Sequence, residues 1–207
     1  MKNSLNTIFI ENKKITPSKI ICVGRNYVDH IRELNNEIPE NMVVFLKPNS
    51  AISNKLISFH QEQIHYETEL SFVYENGKFT AIGLGLDLTK RDMQSKLKSK
   101  GLPWERAKAF NGSAVFSKFV KIKGIDQALS FELKINGNII QSGNIDLMIY
   151  KPKVILTELL SFISLNNGDI VMTGTPKGVG IIKKGCLFTG KIEENNKTIV
   201  SAKWLAE

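Results

Sequence analysis

The sequence predicts a mixed β-rich α+β fold, because turn signals and short β-branched runs outnumber helical patterns along the chain. Asn76-Gly77 and Asn136-Gly137 each lie between apolar or β-branched runs, which is the strongest short-range signal for a β-hairpin. Glu194-Asn195-Asn196 predicts a third hairpin. Hairpins join antiparallel neighbours, so we expect a sheet that is largely antiparallel or mixed.

Two buried strands and two helices complete the prediction. Residues 20–23 and 43–46 are short, unbroken apolar runs rich in β-branched side chains. Helical spacing predicts residues 153–163, which follow Pro152 in the first turn, and residues 92–98. The chain has 207 residues, of which 42% are hydrophobic, and it shows no repeat or linker, so we expect one domain over residues 1–207.

Charge and composition limit the class of partner. A net charge of +8 would attract nucleic acid or an anionic metabolite, but the lysines are scattered and no basic recognition pattern accompanies them. We therefore expect no nucleic-acid partner. No apolar run is long enough to cross a bilayer, and the first residues lack a signal-peptide core, which predicts a cytoplasmic protein with no membrane partner.

Cys22 and Cys186 are expected to be buried free thiols.

Residues 64–73, IHYETELSFV, place two glutamates on one face of a predicted strand. Alternation puts Glu67 and Glu69 side by side, roughly 7 Å apart. Two such charges repel by about 2.5 kcal/mol at an effective dielectric near 20, so in a cleft they require a cation or a proton. The segment alone is equally compatible with the exposed polar face of an edge strand.

Asp87 supplies a third carboxylate, directly after the apolar, glycine-interrupted residues 83–86. A carboxylate at the end of a strand is well placed to converge on a site. Together with Glu67 and Glu69 it would form an all-oxygen ligand set, which favours Mg²⁺ or Mn²⁺ over zinc.

His30 is the histidine with a candidate partner, because Glu33 follows at the i+3 spacing and would be its neighbour on a helix. A carboxylate beside an imidazole raises its basicity and fixes its tautomer, which suits a general base. An exposed histidine with a chance acidic neighbour is the commoner explanation of such a pair. His60 and His65 are expected to be surface or packing residues, because they form no metal-binding helical pattern.

Six segments together resemble the fumarylacetoacetate hydrolase superfamily, in its small acylpyruvase and oxaloacetate decarboxylase branch. They occur in the family order from about Lys19 to Ile192: ICVGRNYVDHIRELNNEIPE, VVFLKPNSAI, HYETEL, LDLTKRDMQ, KGLPWERAKAF and VMTGTPKGVG. The resemblance implies a β-roll like the C-terminal domain of fumarylacetoacetate hydrolase, with the site at its mouth. It also implies a homodimer, Mg²⁺ as cofactor with Mn²⁺ as the alternative, and a small 2-oxo acid as substrate.

The resemblance also assigns roles to residues of this chain. It implies that Glu67, Glu69 and Asp87 bind the metal, and that Lys108 and a His30–Glu33 dyad on a lid segment are catalytic. The implied substrate-binding residues are Arg25, Arg91, Gln94, Gly174, Thr175 and Pro176. Without the other segments, Lys108 would be read as a solvated lysine and TGTPKGVG as an ordinary turn.

Two segments depart from the family pattern. A hairpin through Asn76-Gly77 replaces a helical insertion between Glu69 and Asp87, and residues 143–148 stand where the family has Thr-Ser-x-Met after a glycine. The second segment borders the site or the dimer contact in the family, so it bears on substrate choice and oligomer geometry.

The implied chemistry is stabilisation of the enolate of a metal-bound 2-oxo acid. The expected reaction is hydrolysis of acylpyruvates to pyruvate and a carboxylic acid, with a water activated by His30. The alternatives are oxaloacetate decarboxylation or tautomerisation and isomerisation of 2-hydroxyhepta-2,4-diene-1,7-dioate, which need the same enolate stabilisation. A non-enzymatic metal- or anion-binding module is the remote alternative, disfavoured because His30, Glu33 and Lys108 are all present.

Overall fold

The computed structural model describes residues 5–125 and 128–207. These residues form eighteen strands and four α-helices. The strands are β1 (Ile8–Ile10), β2 (Lys13–Ile15), β3 (Lys19–Gly24), β4 (Val43–Pro48), β5 (Ile52–Ser53), β6 (Phe59–His60), β7 (Glu62–Gln63), β8 (His65–Tyr66), β9 (Thr68–Glu75), β10 (Lys78–Asp87), β11 (Ala114–Phe116), β12 (Val120–Lys121), β13 (Leu129–Ile135), β14 (Asn138–Asn144), β15 (Ile170–Met172), β16 (Gly180–Ile181), β17 (Leu187–Glu194) and β18 (Lys197–Leu205). The helices are α1 (Val28–Glu33), α2 (Arg91–Ser99), α3 (Glu105–Lys108) and α4 (Pro152–Phe162).

The larger sheet is mixed, as the sequence predicts. Its order is β4-β3-β15-β9-β10-β11-β5, with β12 also paired to β10. The β3–β15 and β5–β11 pairs are parallel and the others are antiparallel. Strands β9 and β10 are interior and are buried on both faces over most of their length. The interpretation of residues 64–73 as an exposed edge strand is therefore wrong.

A smaller antiparallel sheet of order β14-β13-β17-β18 packs against the larger one. Buried side chains of both sheets, such as Phe131 and Phe188 with Leu70 and Leu84, belong to one continuous hydrophobic cluster. The two sheets are in close contact at Gly190 of β17, where an added Cβ would lie 2.2 Å from Leu84 Cδ2, so a side chain there would force Leu84 to move. This sheet-dominated arrangement confirms the mixed β-rich α+β class.

The three predicted hairpins are confirmed. Asn76-Gly77 joins β9 to β10, Asn136-Gly137 joins β13 to β14, and Asn195-Asn196 joins β17 to β18. All six turn residues have positive φ, between 49° and 87°, which is the backbone that two-residue hairpin loops demand. The first of these turns is the hairpin predicted between Glu69 and Asp87, and its replacement of a helical insertion of the family stays a prediction.

The predicted strands and helices are present as β3, β4, α2 and α4, and α4 ends at Phe162, one residue before the predicted end. Residues 20–23 of β3 are buried as predicted. The prediction that residues 43–46 are buried is wrong: they are partly exposed, and Leu46 is 40% exposed, because β4 lies at the edge of the larger sheet. Cys22 is buried as expected, and its burial raises the pKa of the thiol well above its usual value. Cys186 is partly exposed, so the expectation of two buried thiols holds for one of them. In the described part of the chain, no helix is long and apolar enough to span a membrane.

The segments with candidate functional residues lie at one end of the central strands of the larger sheet, which is called this edge of the sheet below. Strands β3 and β15 run in parallel, while β9 runs antiparallel to both β15 and β10. The carboxyl ends of β3, β10 and β15 therefore meet the amino end of β9. Candidate metal-binding and catalytic residues that are distant in sequence therefore lie close together at this edge.

Candidate active site and metal centre

The three predicted carboxylates converge at this edge. Glu67 precedes β9, Glu69 is its second residue, and Asp87 ends β10. One oxygen from each lies within 4.8 Å of the others, and the three residues are only 5%, 2% and 1% exposed. The strand pairing explains the convergence, because the backbone N–H of Asp87 donates to the carbonyl of Glu67 at 2.8 Å.

The carboxylates have unequal electrostatic surroundings. Burial raises the pKa of Glu69 well above its ordinary value, and the nearby carboxylates of Asp87 and Glu67 raise it further. Burial would also raise the pKa of Glu67, but Lys108 and Arg91 outweigh that effect and hold it well below its ordinary value. Among the described residues, no cationic side chain forms an ion pair with Glu69.

Lys108 lies inside the carboxylate cluster. Its Nζ donates to Glu67 Oε2 at 2.8 Å, to Asp87 Oδ2 at 2.7 Å and to Thr89 Oγ1 at 2.6 Å. Burial lowers the pKa of this ammonium, yet Asp87 and Glu67 more than compensate and raise it overall. With 2% exposure, Lys108 is not the solvated lysine that its local sequence allows.

Lys47 is a second buried lysine, and sequence reasoning missed it. It is 0% exposed, and its Nζ lies 2.8 Å from Asp87 Oδ1 and donates to the carbonyls of Ser113, at 3.0 Å, and Lys108. It thus supports both a carboxylate of the cluster and the backbone of Lys108. The signal was a single lysine within the apolar run VVFLKP, since lysine is almost never buried without a partner.

The donor set fits a hard divalent ion. Three buried carboxylates supply oxygen ligands, and Glu69 in particular lacks a compensating cation, so Glu67, Glu69 and Asp87 would hold Mg²⁺ or Mn²⁺. Glu69 is oriented by the backbone N–H of Gly174, which donates to its Oε2 at 2.7 Å. Gly174 has φ +97°, and a Cβ there would lie 2.8 Å from Asn26 Cβ, so the contact requires glycine.

Helix α1 places the predicted dyad over this cluster. His30 Nδ1 lies 3.1 Å from Glu33 Oε2, at the i+3 spacing, and His30 is buried and lines the same cavity. The explanation of His30 as an exposed residue with a chance neighbour is therefore wrong. Two contacts fasten the helix to the loop after β15: Gly178 N donates to Glu33 Oε1 at 2.9 Å, and Lys177 pairs with Asp29 at 3.0 Å.

The predicted substrate-binding residues divide into two groups. Arg25, Arg91, Gln94 and Thr175 line the cavity. Arg91 donates from Nη2 to Glu67 and from Nη1 to Gln94 Oε1 at 2.7 Å. Substrate contact by these four residues stays a prediction, and their position in the cavity wall permits it.

Gly174 and Pro176 are not among the cavity-lining residues. Gly174 acts on Glu69 as described, and the carbonyl of Pro176 accepts a hydrogen bond from Gln141 Nε2 at 2.9 Å. Gln141 Nε2 also donates to Thr175 Oγ1, and Gln141 Oε1 accepts from Thr68 N. The loop is therefore tied to the start of β9 through Gln141, which the sequence did not single out. A substrate contact by Gly174 or Pro176 stays a prediction.

The cavity is small and mixed in character, with a volume of about 40 Å³. Its apolar wall includes Phe45 and Trp104, whose rings lie 5.8 Å apart, and Lys108 Nζ lies 5.2 Å from the centre of the Phe45 ring. The lining residues are Val23, Gly24, Arg25, His30, Ile31, Leu34, Asn36, Phe45, Glu67, Glu69, Asp87, Arg91, Gln94, Lys98, Trp104, Lys108 and Thr175.

The atypical residues 143–148 border the site from outside. Asn144 accepts a hydrogen bond from Tyr27 Oη through its carbonyl at 3.3 Å, and Met148 forms an isolated β-bridge with Tyr27. This segment therefore supports the turn between β3 and α1 instead of lining the cavity.

Comparison with known proteins agrees with this geometry. The fumarylacetoacetate (FAA) hydrolase C-terminal family matches residues 19–202. The chain belongs to this family.

Relatives within the fumarylacetoacetate hydrolase family cover most of the chain. The oxaloacetate tautomerase FAHD1 of Bos taurus is 38% identical, over 80% of this chain and 82% of its own. The oxaloacetate tautomerase YcgM of Escherichia coli is 36% identical, over 87% and 91%. A putative fumarylacetoacetate isomerase/hydrolase from Oleispira antarctica superposes with a TM-score of 0.91 at 32% identity, covering 98% of this chain and 100% of that one.

A family structure with a bound ion is also similar. The fumarylpyruvate hydrolase of Pseudomonas aeruginosa, in complex with Mn²⁺ and pyruvate, superposes with a TM-score of 0.88 at 27% identity, covering 100% of this chain and 98% of that one.

Proposed function

We propose that this protein is a divalent-metal-dependent enzyme acting on a small 2-oxo acid, with residues 1–207 as one catalytic domain. The observation that supports it best is the convergence of three buried carboxylates, a buried lysine and a histidine–glutamate dyad on one cavity. Mg²⁺ is the expected ion and Mn²⁺ the alternative.

Each element of the site has a chemical task under this proposal. Mg²⁺ or Mn²⁺, when bound, would stabilise negative charge on the 2-oxo oxygen of the substrate. Lys108 adds a fixed positive charge beside the carboxylates, where it favours an enolate over the neutral keto form. His30, oriented by Glu33, exchanges a proton with the substrate or with a water. Helix α1 limits access of bulk water, which strengthens these interactions.

We infer that keto–enol tautomerisation of oxaloacetate is the first activity. In this reaction a proton leaves the enol oxygen and another is added to C3, so one base and one stabilised enolate suffice. Two relatives that share 36–38% of their residues with this chain are named oxaloacetate tautomerases.

Acylpyruvate hydrolysis is the second candidate, favoured by the dyad. The His30 imidazole next to Glu33 suits removal of a proton from water, which hydrolysis needs. The similar fumarylpyruvate hydrolase structure, which holds Mn²⁺ and pyruvate, supports the same reading. Decarboxylation of oxaloacetate would use the enolate stabilisation without an attacking water. A homodimeric state and a cytoplasmic location stay predictions.

Metal removal tests the proposed function. We expect exhaustive chelation to abolish turnover, and Mg²⁺ or Mn²⁺ to restore it, because the carboxylate cluster provides the only ligand set proposed for the ion. The assays are loss of the enol absorbance of oxaloacetate and release of pyruvate from acetylpyruvate and fumarylpyruvate. Full activity in the chelated protein would show that the metal assignment is wrong.

His30→Ala separates the two reactions that need a base, tautomerisation and hydrolysis, from decarboxylation of oxaloacetate. Hydrolysis needs a base to deprotonate water, so we expect acylpyruvate cleavage to fall by about 10²- to 10⁴-fold, with oxaloacetate decarboxylation spared to a larger extent. Glu33→Ala should act in the same direction more mildly. Arg32→Ala, on the exposed side of the same helix, is the matched control. If the ratio of the two activities stays constant at saturating Mg²⁺, His30 belongs to a water-excluding lid and is not the base.

A further inference from the structure

Two cations of the cavity have no acidic partner. Lys47, Lys108 and Arg91 are already paired with Asp87 or Glu67. Arg25 and Lys98 line the same cavity, and neither takes part in an ion pair with any residue of ranges 5–125 and 128–207. A divalent ion on the carboxylates would add further positive charge. The cavity therefore carries more positive charge than its own carboxylates neutralise.

Arg25 lies beside the cavity with a backbone conformation that is unfavourable for its residue type. Its φ is +54°, a left-handed conformation that is uncommon for a residue with a long side chain. The next residue, Asn26, is fully buried and fixes the turn: its Nδ2 donates to the carbonyls of Thr173, at 2.8 Å, and Tyr150, at 2.9 Å. A non-glycine residue held in such a conformation beside a cavity indicates a functional position.

Lys98 reaches the cavity from helix α2. Arg91, Gln94 and Lys98 follow the i, i+3, i+7 spacing of one helical face, and all three line the cavity. Lys98 Nζ donates to Asn36 Oδ1, a neutral amide. Burial lowers the pKa of Lys98, and the positive charges of Arg25 and Arg91 lower it further, as expected where three cations face one space.

We propose that Arg25 and Lys98 bind the second carboxylate of a dicarboxylic 2-oxo acid, and so select such acids over those that end in a neutral group. This inference rests on the proposed function, in which the carboxylate cluster and its ion take the 2-oxo end of the substrate. The far end then meets two cations that lack partners. A carboxylate there restores the charge balance, whereas a neutral acyl end leaves both cations desolvated and unpaired.

The test compares two ligands that differ by one carboxylate. Pyruvate and non-enolisable 3,3-difluorooxaloacetate are titrated calorimetrically into the wild-type protein and Lys98→Met, both with saturating Mg²⁺. Loss of one charged hydrogen-bond donor should weaken binding of the dicarboxylate by about 10- to 100-fold, while pyruvate changes by less than about twofold. Lys96→Met removes the same charge from an exposed position of α2 and should leave both affinities unchanged.

Further variants test the assignment independently. Arg25→Met should show the same selective loss, and Lys98→Arg should recover most of the dicarboxylate affinity. An equal loss for both ligands in Lys98→Met, or no loss for either, would overturn the proposal. Failure of the proposed function would appear differently, because the wild-type protein itself would then bind pyruvate without dependence on a divalent ion. That result would remove the basis of this inference as well.

Discussion

Replacing Asp87 with asparagine is expected to abolish turnover and to weaken divalent-ion binding by more than about 100-fold. Loss of a residue that merely supports a metal ligand costs about 10- to 100-fold, and Asp87 is itself a proposed ligand. The same change leaves the ammonium groups of Lys47 and Lys108 buried with one fewer anion. Removing one partner of a buried ion pair costs about 3–5 kcal/mol in the free energy of unfolding.

Two measurements on Asp87→Asn separate these effects. Calorimetric titration with Mn²⁺ reports the loss of a ligand, and thermal unfolding in chelator reports the loss of the buried ion pairs. Asp146→Asn makes the same chemical change at the surface, where Asp146 pairs with Lys151, and it should shift the unfolding free energy by less than about 0.5 kcal/mol. Unchanged Mn²⁺ affinity in Asp87→Asn would exclude Asp87 as a ligand.

Lys108→Met is expected to lower turnover by about 10²- to 10³-fold even at saturating Mg²⁺, the cost of removing one preorganised group that stabilises developing charge. Its effect on stability depends on the ion. In chelator, the variant leaves Glu67 and Asp87 without the ammonium that contacts both, and it should unfold at a lower temperature. A divalent ion supplies positive charge to the same carboxylates, so it should stabilise the variant more than it stabilises the wild-type protein.

The informative quantity is the shift in melting temperature on adding Mn²⁺, measured beside turnover for each protein. Lys118→Met, at an exposed position, is the control. A variant that regains its stability with Mn²⁺ and stays slow supports a catalytic role for Lys108. Wild-type turnover in Lys108→Met would reduce the residue to a structural counter-ion.

Features encoded over a few residues were predictable from the sequence. The Asn-Gly turns specify positive φ at both loop positions, so the hairpins at residues 76–77 and 136–137 follow from local chemistry. The two-residue spacing of Glu67 and Glu69 similarly fixes their shared face, and the i+3 spacing brings Glu33 to His30. The convergence of Glu67, Glu69 and Asp87 was also predictable, because the sequence places these carboxylates at strand ends; their role as ligands of a hard ion stays a prediction.

Features that depend on long-range pairing were not predictable in this way. Lys47 meets Asp87 only because β4 and β10 belong to one sheet, and nothing near Lys47 in the sequence indicates that partner. The alternation in residues 64–73 was equally compatible with a solvated face and with a site, and only the pairing of β9 as an interior strand decides between them. Lys98 lacked any local signal, since its role depends on the placement of Arg25 across the cavity.

Because the charges of the site are already paired, the chain can fold before it binds a metal ion. Arg91 and the two buried lysines already accompany Glu67 and Asp87, so the core closes without help from an ion. Zinc fingers behave in the opposite way, because they fold only once metal has bound. Under the proposed function, binding of a divalent ion would then be a late, reversible step, and the cellular supply of Mg²⁺ and Mn²⁺ would set which ion the folded protein carries.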